Sequence, residues 1–232
     1  MNFWDTVLLW IKRVFLFFLV SSITSVILLR FIPPLYTPLM IIRAGQQYWK
    51  DDKVIIKKDW TNIKNISIHI QKAVIASEDQ EFLTHFGFDI DAMKKAYKNN
   101  QKQHVRRIKG GSTITQQVAK NLFLWPGRSY LRKIIEAYFT LLLEIFWSKE
   151  RIMEMYLNII ELGKGIYGIE AASRIYFKIP AKKIKPGQAA LIAATIPNPL
   201  KWSPLRPTLY INKRQHWILG QMYYIKELKY KE

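Results

Sequence analysis

Sixteen consecutive residues without a charge, Val14–Leu29 (VFLFFLVSSITSVILL), constrain this chain more than any other stretch. Taken from Val7 to Ile32, with Lys12, Arg13 and Arg30 near its ends, the segment can cross a hydrocarbon core that needs about 20 residues. Its interior Ser and Thr can bond back to the helix backbone, and Trp4 and Trp10 suit an interfacial belt. Lys12 and Arg13 precede the apolar run, which predicts a cytoplasmic N-terminus. A cleaved signal peptide is the rival reading. The segment ends in Arg-Phe-Ile-Pro-Pro with no small-x-small cleavage site, so a retained anchor is expected. A buried core helix fits less well, because the run is apolar all round. The organisation predicted is an anchor over residues 1–34 and one domain over 35–232.

Charge narrows the function. The net charge is +19; Lys12, Arg13 and Arg30 against Asp5 leave +2 on residues 1–32, so +17 belongs to residues 33–232. A field of that sign suits a polyanion or an anionic membrane surface. An anchored domain outside the cytoplasm does not meet nucleic acid, and no nucleic-acid module is recognisable. There is no cysteine, which excludes disulfides and thiolate metal sites.

Beyond the anchor the pattern is mostly helical. Pro33, Pro34 and Pro38 punctuate the exit, Leu35–Ile42 is apolar enough to rest on a membrane, and Gln46–Lys58 is polar and mixed. Ile66, Ile68 and Ile70 alternate as in a short strand, with a helix start equally open. Helices are expected over about 67–80, 91–100, 112–122, 130–147, 149–162, 169–176, 186–196 and in the basic tail from Asn212. Gln101–Lys109 (QKQHVRRIK) reads as a mobile basic connection. Leu122–Trp125 is an apolar run before Pro-Gly that suits either the core or contact with the bilayer, and bilayer contact is predicted.

Three groups of residues carry possible chemistry. In GGSTITQQVAKN (110–121) two glycines permit a tight turn, and Ser112 can cap the adjoining helix. Ile114, Val118 and Leu122 form its apolar face; Thr113, Gln117, Lys120 and Asn121 form a polar one. A helix N-terminus with a lysine two turns in can hold an anion, although the Gly-Lys-Ser/Thr step of a Walker loop is missing. Taken alone, an ordinary capped surface helix is the better explanation. Glu78 and Asp79 end an apolar helix and point about 100° apart, so only one can be a catalytic acid or base, its pKa raised by apolar neighbours. A solvated acidic cluster is the plain alternative. Glu136 lies one turn beyond Arg132 and Lys133, and Glu154 and Asn158 are likewise one turn apart; ion pairs and a structural network account for them separately. Together they supply two separated carboxylates and several cations, a set suited to glycosidic chemistry on a phosphate-bearing substrate.

On these residues the chain resembles the glycosyltransferases that polymerise lipid II into peptidoglycan glycan strands. EDQEFLTHFGF (78–88), GGSTITQQVAKN (110–121), RKIIEAYFTLLLE (132–144), KERIMEMYLNIIELGKGIYGIEAAS (149–173) and GQAALIAATIPNP (187–199) resemble that family's five motifs in order. The likeness covers about residues 67–205. Gln188 stands where Glu is more usual, a departure expected to affect packing. The chain is most similar to the monofunctional, membrane-anchored, Gram-negative type.

The resemblance implies a mainly α protein, an N-terminal transmembrane helix followed by a two-lobed lysozyme-like helical domain. It implies Glu78 as general base on the acceptor sugar hydroxyl and Glu136 as the second essential carboxylate. Lys120, Arg132 and Lys133 would surround the donor pyrophosphate, and Asp79, Thr113, Gln117 and Asn121 would shape the pocket. Phe82, His85 and Gly87 would hold the Glu78 segment, with Glu154 and Asn158 supporting the groove. Mg²⁺ or Mn²⁺ bridging the pyrophosphate is an expected option, with Glu136 and Asp79 the nearest candidates and no carboxylate cage apparent; no organic cofactor is implied. The partners implied are lipid II, the growing lipid-linked chain, the membrane, and other cell-wall synthesis or division proteins. The location implied is the inner membrane, single-pass, with the catalytic domain periplasmic. A peptidoglycan-cleaving lysozyme-like enzyme and a non-catalytic scaffold are the competing readings.

Overall fold

The computed structural model describes residues 2–51, 53–101, 111–127, 129–225, 228 and 230. Helix α1, Phe3–Phe31, is 29 residues long. At about 1.5 Å per residue it is long and apolar enough to cross a membrane. It does not stand apart from the rest. Ser22 and Val26 are buried in it. Ser22 Oγ lies 2.6 Å from the Tyr138 hydroxyl, and Trp147 Nε1 donates to the Val26 carbonyl at 2.8 Å. The Arg151 guanidinium donates to the Leu29 carbonyl at 2.8 Å. Side chains from the body thus take up carbonyls on one side of α1.

Helix α2, Pro38–Asp51, occupies a stretch whose composition suggests a membrane-resting segment and a mixed polar run. Pro at its first position suits a helix start. Met40 is fully buried, and the Gln47 side chain bonds both the N–H and the carbonyl of Ile55, folding the chain back on itself. Strand β1, Lys57–Lys58, then pairs in parallel with β3, Ile166–Tyr167, which pairs antiparallel with β2, Glu161–Gly163.

The alternating Ile66, Ile68 and Ile70 resolve as a helix entry. A 3₁₀ turn at Ile63–Asn65 leads to Ser67, which caps α3, Ile68–Glu78. The other helices are α4 (Ile90–Asn100), α5 (Ile114–Phe123), α6 (Tyr130–Phe146), α7 (Lys149–Ile159), α8 (Ile169–Phe177), α9 (Pro186–Thr195) and α10 (Leu209–Tyr224). Helix α7 stops at Ile159, short of the expected Leu162, because Glu161–Gly163 joins the sheet. Ser129, Ser148 and Thr208 cap α6, α7 and α10 with their hydroxyls.

Two packing groups enclose the core. Helices α3, α9 and α10 contact one another, and α5 packs on α6 and α7. The small residues Ala189, Ala190, Ala193 and Ala194 of α9 are buried, which permits close approach to α3. The bilayer contact predicted for Leu122–Trp125 does not hold for most of that run. Leu122 and Leu124 are buried, and Phe123 stacks on Phe139 with ring centroids 4.1 Å apart; only Trp125 is well exposed. The exposed apolar stripe lies instead on α6, at Leu131, Ile134, Leu141 and Ile145, on the helix that carries the anchor contacts. The expected mobile connection, apart from Gln101, lies outside the described residues.

Candidate active site

Glu78 is the last residue of α3, and Asp79 leaves the helix with φ −163° and ψ 81°. That break separates the two carboxylates completely. Glu78 Oε2 accepts from Gln117 Nε2 at 3.1 Å, and Oε1 accepts from Ser77 Oγ at 3.3 Å. The Tyr156 hydroxyl donates to Gln117 Oε1 at 3.2 Å, which fixes the amide so that its NH₂ faces Glu78. Burial pushes the Glu78 carboxyl above its ordinary value of 4.5, opposed by the Gln117 bond and by the charge of Arg214, 3.8 Å away.

Asp79 turns inward. Its two oxygens accept from Ile114 N–H at 2.9 Å and meet His85 Nε2 at 2.8 Å. Asp79 lines the cavity beside Glu78 and shapes it through these bonds, which tie the first turn of α5 to the loop after Glu78. Phe82 is fully buried beneath it, with Lys149 Nζ 4.7 Å from its ring centre. Gly87 has φ +76°, and a Cβ there would meet Thr140 Cγ2 at 2.8 Å, so both conformation and space demand glycine.

The N-terminus of α5 also differs from expectation. The cap is Thr113, not Ser112: its hydroxyl accepts from Gln116 N–H and donates to the Gly87 carbonyl at 2.7 Å, while the Gln116 side chain returns to Thr113 N–H at 2.9 Å. Thr113 is thus buried, and it shapes the cavity beside Glu78 through these bonds. Gly111 is required for approach, since a Cβ would lie 3.1 Å from the Met93 Cα; Gly110 is outside the described residues.

Two cavities meet at this helix. One, of about 810 Å³, is lined by Glu78, Glu81, Thr84, Asp89, Asp91 and Lys95 among others. The second, of about 490 Å³, is lined by Gln117, Lys120, Asn121, Arg132, Lys133 and Glu136 among others. Ser112 borders both. Glu136 is 2% exposed, and Arg132 NH1 donates to its Oε2 at 2.8 Å while Lys133 Nζ takes Oε1. Burial lowers the Lys120 pKa, with Glu136 opposing and Arg132 and Lys133 adding to the shift. Arg132 Nε has no hydrogen-bond partner among the described residues.

Glu154 and Asn158 stand behind the groove. Glu154 Oε2 accepts from Ile63 N–H at 2.8 Å, and Asn158 bonds both the N–H and the carbonyl of Thr61 at 2.8 Å. They hold the segment that enters α3, and so set where Glu78 ends.

The donor set does not fit a resident metal. Both oxygens of Glu136 and both of Asp79 are engaged by cations and N–H groups. Among the described residues no three His, Asp or Glu side chains are grouped to hold an ion. Three residues at the site carry no clear signal in the sequence: Arg214 beside Glu78, and the pair Arg43–Glu161 at the second cavity. For Arg214 the sequence offers only a basic tail, and for the pair it offers nothing.

A family model described as Transglycosylase matches residues 49–223. A Bdellovibrio bacteriovorus protein named biosynthetic peptidoglycan transglycosylase is 52% identical over 219 residues, 94% of this chain and 87% of that one. Proteins of the same name from Bacteroides thetaiotaomicron and Caulobacter vibrioides are each 50% identical, over 93% and 86% of this chain and 86% and 84% of their own.

Proposed function

The chain belongs to the transglycosylase family, and on that premise we propose that it is a peptidoglycan glycosyltransferase polymerising lipid II into β-1,4-linked glycan strands. One observation carries the mechanism: a desolvated carboxylate borders one cavity, and three cations around a second carboxylate border the next. Glu78 takes the proton from the acceptor sugar 4-hydroxyl. Its raised pKa makes it a stronger base than a solvated glutamate, while Gln117 keeps it oriented. The freed oxygen attacks the donor anomeric carbon, the bond from that carbon to the phosphate oxygen breaks, and configuration inverts. The electron pair leaves on polyprenyl pyrophosphate, held by Lys120, Arg132 and Lys133. Glu136 keeps two of those cations gathered before the substrate arrives. No step is assigned to a metal.

The anchor fits the substrate. A lipid-linked donor approaches in the plane of the membrane, and α6 carries both the anchor contacts and one end of the cationic cavity. In this reading α1 spans the inner membrane with its N-terminus cytoplasmic, the body lies on the periplasmic side, and the apolar stripe of α6 meets lipid. Purified full-length protein incubated with labelled lipid II in micelles tests the proposal, beside a parallel incubation with preformed glycan strands. Glycan polymer from lipid II is the expected product; cleavage of the preformed strands without polymer would replace the reading with a lysozyme-like hydrolase.

A further inference from the structure

Arg43 borders the cationic cavity yet comes from none of the helices that build it. It sits on α2, the helix between the anchor and the body, and α2 packs on α5. Leu39, one turn earlier, borders the same cavity. The guanidinium is held at two of its three nitrogens. Nε donates to Glu161 Oε2 at 3.3 Å, and NH1 donates to Gln46 Oε1 at 3.0 Å. Among the described residues these occupy two of its five N–H donors, and the side chain is 30% exposed.

The arrangement repeats one already present in the cavity. Glu136 holds Arg132 by a single guanidinium nitrogen and leaves the rest of the fork unspent. Glu161, largely buried on β2, does the same for Arg43. A carboxylate beside a diphosphate site is repulsive unless a cation neutralises it, and Arg43 is the cation bonded to Glu161 here. Burial raises the Glu161 pKa and Arg43 opposes that shift, so the pair stabilises the charged carboxylate in place.

We propose that Arg43 is a further ligand for the diphosphate of the lipid-linked donor, delivered by α2 and oriented by Glu161. The proposal rests on reading the cation-lined cavity as the pyrophosphate site. Arginine suits the position, since its planar fork pairs bidentately with phosphate oxygens where lysine acts as a point charge. Its placement gives the linker helix a share in recognition. A substrate whose diphosphate lies at the membrane surface meets Arg43 from the segment that emerges there, and Lys120 and Arg132 from the body.

The alternative is that Arg43–Glu161 is a strut fastening α2 to the sheet. A strut needs both charges equally; a phosphate ligand needs the charge of Arg43, and glutamine at position 161 still offers an acceptor oxygen to orient it. Full-length protein in detergent micelles is titrated with farnesyl pyrophosphate, with farnesyl monophosphate as control, and lipid II polymerisation is measured alongside. Arg43→Ala is expected to weaken farnesyl pyrophosphate binding by at least about tenfold, with a smaller loss for the monophosphate. Arg43→Lys, which keeps the charge and the fold but loses the fork, should fall between Arg43→Ala and wild type. Glu161→Gln should bind the diphosphate as tightly as wild type or more tightly. Wild-type affinity in Arg43→Ala overturns the proposal. So does an equal loss in Glu161→Gln, and so does a wild type that does not prefer the diphosphate. Polymerisation by a wild type whose diphosphate binding ignores Arg43 sinks this inference alone. Arg43-dependent binding without polymerisation sinks the glycosyltransferase reading and leaves the diphosphate site.

Discussion

Glu78 and Glu136 are both shielded from water and stand at neighbouring cavities, but their surroundings are opposite. Glu136 is clamped by Arg132 and Lys133, one on each oxygen. Glu78 receives an amide and a hydroxyl, and its nearest cation, Arg214, stands off at 3.8 Å. The first arrangement gathers positive charge around a carboxylate. The second leaves a carboxylate free to exchange a proton, with a raised pKa to favour uptake. Two glutamates of one chain thus differ in role because of what is placed within about one hydrogen-bond length of each.

The contrast can be broken at either end. The largest effect is expected from Glu136→Gln, which strips the negative charge from between two cations. It should lower kcat/KM on lipid II by about 100-fold or more. It should also destabilise the fold by about 1–3 kcal/mol, because the largely buried Arg132 loses its charged partner while Lys133 keeps access to water. An unchanged rate and melting temperature would show that the clamp is not needed. Lys120→Ala should lower kcat/KM about 10- to 100-fold while the protein stays folded; a rate equal to wild type would remove Lys120 from the leaving-group site.

Arg214→Ala sharpens the other end. Glu78 accepts a proton only when ionised, so the rate should rise with pH through its folded pKa, which lies above 4.5. Arg214 lowers that pKa, so its removal should move the acid limb of the kcat/KM profile to higher pH. A limb that stays in place, or moves down, contradicts the pairing. The smallest effect is on stability. A carboxyl whose folded pKa is raised favours folding below 4.5, and that contribution is lost as pH rises through the folded value. At neutral pH Glu78→Gln removes the strain of an ionised buried group, and its melting temperature should rise by about 2–4 °C. A lower melting temperature would mean that Glu78 is held as favourably as Glu136.

The helices of the site are legible in the sequence because their signals are local. Ile70 and Val74 of α3, or Ile114, Val118 and Leu122 of α5, repeat at the helical period and are buried in the structure. The apolar run of α1 is legible for the same reason. What stays hidden depends on chain segments far apart. Arg43 and Glu161 are 118 positions from one another, and Arg214 reaches Glu78 from the far end of the chain. The cap of α5 is ambiguous in sequence because Ser112 and Thr113 are both good caps in adjacent positions. Gln116, three residues on, closes a capping box with Thr113, and the Gly87 carbonyl, 26 residues earlier, takes its hydroxyl. Asp79 is legible as a pocket residue from its place beside Glu78, but the broken helix end that turns its carboxylate onto the Ile114 N–H leaves no trace in the periodicity. Helix α2 carries a local signal, since its buried side chains, Met40 and Gln47, are seven residues and about two turns apart on one face, but the prolines at its entry and the polar Gln47 on that face disguise it.

The central claim is that Glu78 removes the acceptor proton beside a pre-assembled pyrophosphate site. The most direct test compares wild type with Glu78→Gln in single-turnover polymerisation of labelled lipid II, with farnesyl pyrophosphate binding measured on both. Glutamine keeps the size and one acceptor oxygen but cannot take the proton. The account predicts a rate lower by about 100- to 10,000-fold with diphosphate binding retained. Polymer formed by Glu78→Gln at the wild-type rate would contradict it.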